Sequence, residues 1–248
     1  MPGVLDDKVA VVTGGSRGLG RAMVAAFAGA GAHVVIASRK LDSCVELATE
    51  IEARHGVRAL PVGCNVSDWQ QCDALIDTVY DSFGRVDVLV NNAGLSPLYP
   101  SLPDVGEALF DKTIGVNLKG PFRLTSVIGT RMAAGAGGSV INISSVEALT
   151  PMPIALPYAA AKAGLNTLTE GFARAFGPTV RVNAIQCGPF ATDIATAWPA
   201  EVRAYVNSHV ELGRPGEPDE IVGAAMYFAT AASSYCTGAI LRLDGGWR

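Results

Sequence analysis

Short apolar runs alternate with longer amphipathic ones along the whole chain. Lys8–Thr13 (KVAVVT) is β-branched with no polar alternation, the pattern of a strand buried on both faces of a parallel sheet. Further strands are predicted at Ala32–Ala37, within Arg58–Val66, and at Val86–Asn91, Ser139–Ser144, Val180–Ile185 and Ala239–Leu243. Helical patterns fill the intervals: from Gly20 to Ala30, then Leu41–His55, Asp68–Phe83, Asp104–Ala134, Tyr158–Phe176 and Pro218–Thr230. Strands regularly separated by helices require right-handed crossovers and a parallel sheet covered on both faces. The pattern therefore predicts an α/β fold, one doubly wound domain over residues 1–248 with seven parallel strands. The longest irregular stretch, Gly188–Pro218, follows the sixth strand, where a lid over the carboxyl edge of the sheet would arise.

Composition narrows the partners. A domain of 248 residues needs no staples, since a core of that size buries about three quarters of the unfolded surface. The net charge of −4 offers no general attraction for nucleic acid or anionic lipid, so any phosphate-binding charge has to be local. Five scattered cysteines without a CxxC pair read as reduced thiols of a cytoplasmic chain. There is no leader pattern and no 18-residue apolar run free of charge, so no membrane association is expected. His33, His55 and His209 are isolated and lack ligand spacing, so no metal is expected.

The first strand feeds its helix through Gly14-Gly-Ser16-Arg17-Gly18-Leu19-Gly20. The spacing is looser than GxGxxG, but the device is the same. Glycines let the backbone approach a pyrophosphate that sits on the helix N-terminus. If a ribose 2′-hydroxyl were to be held, the second strand would end in a carboxylate. It ends instead in Ser38-Arg39-Lys40, with no acid between Gly14 and Asp42. Arg39 offers a planar fork for a 2′-phosphate, Ser38 a hydroxyl, and Arg17 can converge from the glycine loop. These residues point to NADP(H) ahead of NAD(H).

Tyr158 and Lys162 lie four residues apart in an Ala-rich helix, on one face and about one turn apart. Such a pair is common on amphipathic helices. Its context changes the weighting, because Ser145 ends the preceding strand, thirteen residues upstream of Tyr158. A hydroxyl, a phenol and an ammonium then share the carboxyl edge of the sheet. A phenol acting near neutrality needs a downward shift of about three units, roughly 4 kcal/mol. One ammonium at an effective dielectric of about 20 supplies a few kcal/mol, and a positive nicotinamide could add to this during oxidation.

Taken in order, the motifs resemble the short-chain dehydrogenase/reductase family in its single-domain form, over nearly the full chain. They are Thr13-Gly-x3-Gly18-x-Gly20, Asn91-Asn92-Ala93-Gly94, Val116-Asn117-Leu118, Ser145, Tyr158-x3-Lys162, and Arg181-Val-Asn183 leading to Gly188 and Thr192. The ending Leu241-Arg-Leu-Asp244-Gly-Gly246 fits as well. The resemblance implies a Rossmann domain and a catalytic tetrad of Asn117, Ser145, Tyr158 and Lys162. Tyr158 would be the general acid/base, Ser145 would hold the reacting oxygen, and Lys162 would hold the ribose and lower the phenol's pKa. Asn117 would anchor a water that relays protons to Lys162. Asn92, Ala93 and Gly94 would lie beside the adenine-side ribose, Thr192 near the carboxamide, and Ile185 and Gly188 along the nicotinamide.

Two positions depart from the family pattern. Asn65-Val66 stands in place of Asp-Val, with an amide still able to accept from and donate to adenine. Cys187-Gly188 stands in place of Pro-Gly, putting a thiol in the pocket wall; with no histidine partner in sequence reach, Cys187 reads as structural. Candidate substrate walls are Ser96–Tyr99, Glu147, Met152, Leu156, Phe190 and the Trp198/Tyr205 stretch. Mostly apolar, they suggest a ketone or secondary alcohol, and 3-oxoacyl reductases and broader ketone reductases fit equally. Glu147 is either solvated at the rim or meets a polar or cationic substrate group. The small residues Ala159, Ala163, Gly164 and Gly171 allow close helix packing, and the resemblance implies a homodimer or homotetramer through such helices. The rival reading is a non-catalytic NADP(H) sensor, which would be expected to lack the Tyr or the Lys. A nucleotide-sugar epimerase would need a further substrate domain.

Overall fold

The computed structural model describes residues 3–192 and 200–248. Seven parallel strands form one sheet in the order β3-β2-β1-β4-β5-β6-β7. They are β1 (Val9–Thr13), β2 (His33–Ser38), β3 (Ala59–Gly63), β4 (Val88–Asn91), β5 (Gly138–Ser145), β6 (Val180–Cys187) and β7 (Ile240–Leu243). Alternate strand residues feed two cores. Ala10 and Val12 pack toward the layer of α1 (Gly18–Gly29), α2 (Leu41–His55) and the C-terminal helix Val222–Ala229. Val9 and Val11 face the opposite layer, α3 (Trp69–Phe83), α5 (Gly120–Ala133) and α6 (Leu156–Phe176). Both faces of β1 are thereby buried, which is why its sequence shows no alternation.

Helix ends follow local chemistry. Asp68 caps α3 by accepting from the Gln71 amide at 3.1 Å, and Gly84 closes the helix at φ 71°. The run expected as one helix over Asp104–Ala134 is broken into pieces. It comprises α4 (Glu107–Ile114), a π-helical turn at Gly115–Lys119, and α5. Periodicity alone cannot reveal a π turn, because the apolar spacing on either side stays helical. The interval read as irregular, Gly188–Pro218, contains α7 (Ala200–His209). The sequence reading missed it because this short helix is largely exposed and has no broad apolar stripe. The final helical run divides into a one-turn segment, Pro218–Ile221, and α8 (Val222–Ala229).

Two of the four small residues on α6 pack within the chain. Ala159 is buried, and a Cβ on Gly164 would come within 3.1 Å of Leu118, so both positions pack inside the chain. Gly171 alone meets nothing within 4 Å. Trp69, Phe122, Phe172 and Phe176 form a chain of ring contacts across α3, α5 and α6, at 6.3, 5.7 and 5.4 Å between centroids. No helix among the described residues is long and apolar enough to cross a membrane.

Candidate active site

The sheet reverses its winding between β1 and β4, and a cleft of about 790 Å³ opens at their carboxyl ends. Thr13 ties the two loops there. Its hydroxyl accepts from the Asn92 and Ala93 amides at 3.0 and 3.1 Å and donates to the Val90 carbonyl at 3.2 Å. The Asn92 side chain donates to the carbonyls of Thr13 and Gly14 at 2.9 and 3.1 Å. Gly14 and Gly18 take φ values of 63° and 50°, where a side chain would strain the backbone. A Cβ on Gly20 would collide with the Gly14 carbonyl. The glycines thus let the loop pack closely against the Asn92–Ala93 segment where it borders the cleft at the N-terminus of α1; Arg17 at the N-cap makes no side-chain capping bond.

At one end of the cleft Ser38 lies among Ser16, Arg39, Lys40 and Ser43. The Ser38 hydroxyl accepts from Ser16 at 3.1 Å and is 3.1 Å from the Cys44 sulfur. Arg39 and Lys40 are exposed, and among the described residues neither is held by a carboxylate. Asn65 and Val66 line the neighbouring wall. The Asn65 oxygen already accepts from the Ser67 hydroxyl and amide at 2.9 and 3.3 Å, so the acceptor expected for adenine is used within the chain.

At the other end Ser145, Tyr158 and Lys162 converge with Cys187, Gly188, Phe190 and Thr192. Ser145 ends β5, and its hydroxyl both accepts from the Glu147 amide at 3.2 Å and favours ionisation of the Tyr158 phenol. Burial nevertheless dominates at that phenol and pushes its pKa up to about 12. Lys162 is only 4% exposed, donates to the Ile143 carbonyl at 2.7 Å, and is pushed down to about 8 by burial. Its ammonium lies 5.6 Å from the centre of the Tyr158 ring. Cys187 is pushed up to about 12 by burial, which keeps it a neutral thiol.

Residues 14–248 match the family model described as enoyl-(acyl carrier protein) reductase. L-rhamnose 1-dehydrogenase (NAD(P)(+)) of Azotobacter vinelandii is 40% identical over 98% of this chain and 97% of its own length. The 3-oxoacyl-[acyl-carrier-protein] reductase of Thermotoga maritima is 36% identical, covering 98% of each chain. The crystal structure of NADPH-dependent 3-quinuclidinone reductase from Rhodotorula rubra superposes with a TM-score of 0.93 at 31% identity, covering 98% of this chain and 91% of that one. The chain belongs to the short-chain dehydrogenase/reductase family. It is an oxidoreductase acting on alcohol and carbonyl groups, as its relatives are.

Of the expected catalytic and cofactor-binding positions, all but Gly20, Asn117 and Ile185 border the cleft. Ile185 is fully buried within β6. Gly20 acts from behind by permitting the tight turn. Asn117, expected to anchor a proton-relaying water, sits fully buried in the π turn. Its amide donates to the Leu95 and Thr113 carbonyls at 2.8 and 2.9 Å and accepts from the Leu95 amide at 3.3 Å. Both amide hydrogens and the oxygen thus hold the chain itself, and the side chain positions the loop that follows β4. Cleft residues not singled out include Lys40, Ser43, Cys64, Leu95 and Ile143. Ile143 could not have been found, because it contributes a backbone carbonyl and its side chain reads as core. Among the expected substrate walls, Ser96 and Phe190 border the cleft, whereas Leu98 is exposed. Tyr99 fastens the 153–156 segment, donating to the Pro153 carbonyl at 2.6 Å and accepting from the Leu156 amide at 2.9 Å. Tyr205 stacks on His209 at 3.8 Å, and Trp198 lies outside the described residues.

Burial of Lys162 links the site to stability. Between about 8 in the folded chain and 10.5 unfolded, the unfolded state binds the extra proton, so stability rises with pH across that window. Tyr158, raised from 10 to about 12, opposes the gain above pH 10. Lys162→Met is expected to remove an ammonium whose burial costs about 3 kcal/mol near neutrality. Urea unfolding at pH 7 and 9.5 checks this. Wild type gains stability between the two pH values and the variant does not, and equal pH slopes would contradict the assignment.

Proposed function

We propose that the protein transfers hydride between NADP(H) and a ketone or secondary alcohol, with Tyr158 as general acid/base. The observation carrying this reading is the convergence of Ser145, Tyr158 and Lys162 at the end of a cleft whose far end is lined by a glycine cradle and Arg39. The cradle of Gly14, Ser16, Arg17, Gly18, Leu19 and Gly20 fits a pyrophosphate, and Ser38 and Arg39 fit a 2′-phosphate. Asn65 and Val66 would flank the adenine, and Asn92, Ala93 and Gly94 its ribose. Gly188 and Thr192 would border the nicotinamide. When bound, the cofactor supplies or takes up the hydride. Ser145 donates to the substrate oxygen and holds it against the phenol. Tyr158 gives its proton to that oxygen in reduction and takes it back in oxidation. Lys162 holds ribose hydroxyls and a positive charge beneath the phenol. A phenol raised to about 12 by burial is suited to donating a proton; as a base it needs the added positive charge of an oxidised nicotinamide.

The domain is read as one unit over 1–248, with the 188–218 region, of which 193–199 lie outside the described residues, as a lid on the substrate side. The relatives' names span sugar and 3-oxoacyl substrates. We infer a cytoplasmic homotetramer, supported by aromatic side chains left 39% and 40% exposed at Trp69 and Phe122.

Three outcomes are expected. Tyr158→Phe lowers turnover by at least about a hundredfold while NADPH titration by fluorescence is retained; unaffected turnover would remove Tyr158 from the mechanism. Arg39→Ala weakens NADPH binding by about tenfold and leaves NADH within about threefold, as one charge-assisted contact predicts; equal losses would point to NAD(H). Light scattering gives four chains per particle, and a monomer would overturn the assembly.

A further inference from the structure

Helix α6 carries Tyr158 and Lys162, yet its own sequence leaves its N-terminus poorly closed. The N-cap is Ala155, which has no side-chain oxygen and makes no capping bond. The second helical position is Pro157, which has no amide hydrogen to anchor. Tyr158 comes third, so the phenol stands in the first turn, the part of a helix that frays most readily. The first amide, that of Leu156, is met from 57 residues away in the chain. The Tyr99 hydroxyl accepts from it at 2.9 Å and donates to the Pro153 carbonyl at 2.6 Å.

Tyr99 is itself firmly held. It is 8% exposed and lies between Pro97 and Pro100, which restrict the backbone on either side. Its loop starts at Leu95, whose amide and carbonyl both bond the buried Asn117 side chain. Leu95 and Ser96 border the cleft, whereas Tyr99 does not, so Tyr99 acts only through what it holds. One hydroxyl bonded in both directions fixes the turn before α6 and the first residue of the helix together. Glu147 fastens the loop leading to that turn, its carboxylate accepting from the Met152 amide at 2.8 Å.

We propose that Tyr99 is a positioning residue for the phenol of Tyr158. From the loop after β4 its hydroxyl supplies the cap that α6 lacks, and so keeps the first turn of α6 closed at the end of the cleft. The effect on turnover rests on the proposed acid/base role of Tyr158; the capping does not.

The test is Tyr99→Phe, which deletes one oxygen and keeps the ring packed. Hydrogen exchange, followed by mass spectrometry, is expected to be about tenfold faster over residues 152–162 than in wild type and unchanged over 165–176, as loss of a helix cap predicts. Turnover is measured with NADPH and either ethyl acetoacetate or 3-pentanone, whichever wild type reduces faster. The kcat is expected to fall by about tenfold or more, with KM within about threefold and NADPH affinity within about twofold, because misplacing a reacting group costs rate rather than binding.

Asp87→Ala separates placement from stability. Asp87 accepts from the Val9 amide at 2.9 Å at the amino edge of the sheet, opposite the cleft. This variant is expected to lower the melting temperature at least as far as Tyr99→Phe and to keep kcat within about twofold of wild type. Unchanged exchange over 152–162 in Tyr99→Phe would overturn the proposal, as would a kcat within about twofold of wild type in that variant. An equal loss of kcat in Asp87→Ala would also overturn it, by showing that turnover follows stability alone. If Tyr158→Phe turns over as fast as wild type, the acid/base scheme is what fails, and the exchange result alone decides whether Tyr99 caps α6.

Discussion

The parallel pairing of β1 with β4 is the constraint on which the site depends. Ala10, Val11 and Val12 run beside Val88, Leu89 and Val90, and beyond that ladder the two chains must part toward opposite layers. Backbone groups at such a parting would be left without partners in a partly buried place. Thr13 and Asn92 satisfy them with one hydroxyl and one amide, and so hold the glycine loop and the 92–94 segment at a set separation. The cleft is the space this leaves. Its cofactor end follows directly from β1 and β2.

The Ser145 end of the cleft depends on a second pairing, that of β5 with β6. Ser145 lies opposite Cys187, so the hydroxyl and the thiol reach the same edge of the sheet. Helix α6 crosses below and delivers Tyr158 and Lys162, the latter pinned to the Ile143 carbonyl one strand position back from Ser144. Burial then acts in opposite directions on the two side chains. It lowers the ammonium and raises the phenol, because each is driven toward its neutral form. On the proposed reading, a site set this way is suited to giving a proton to the substrate oxygen.

The fold was largely legible because buried parallel strands and crossover helices carry distinct periods. KVAVVT, AHVVIA and VDVLVN could hardly be anything but strands sheathed on both faces. Three features escaped. The π turn at Gly115–Lys119 is hidden because the apolar pattern continues through it, yet it carries Asn117 into the interior. Helix α7 is largely exposed and so left no strong stripe. Two of the small residues on α6 that suggested subunit packing are occupied by the chain's own Leu118 and interior.

By itself the sequence determined which chemical groups are present and in what order: a glycine loop, an Arg39 without a neighbouring acid, and Tyr158 with Lys162 one turn apart. These are local properties, set by spacing within a single strand, loop or helix. Tertiary structure alone decided what those groups face. It placed the Asn117 amide on backbone carbonyls, the Asn65 oxygen on Ser67, and the Glu147 carboxylate on the Met152 amide. Burial also raises the phenol's pKa, an effect that the spacing of Tyr158 and Lys162 does not show. The reason is that proton affinity and hydrogen-bond partnership depend on burial and on neighbours from distant parts of the chain, and neither is written in the interval between two residues.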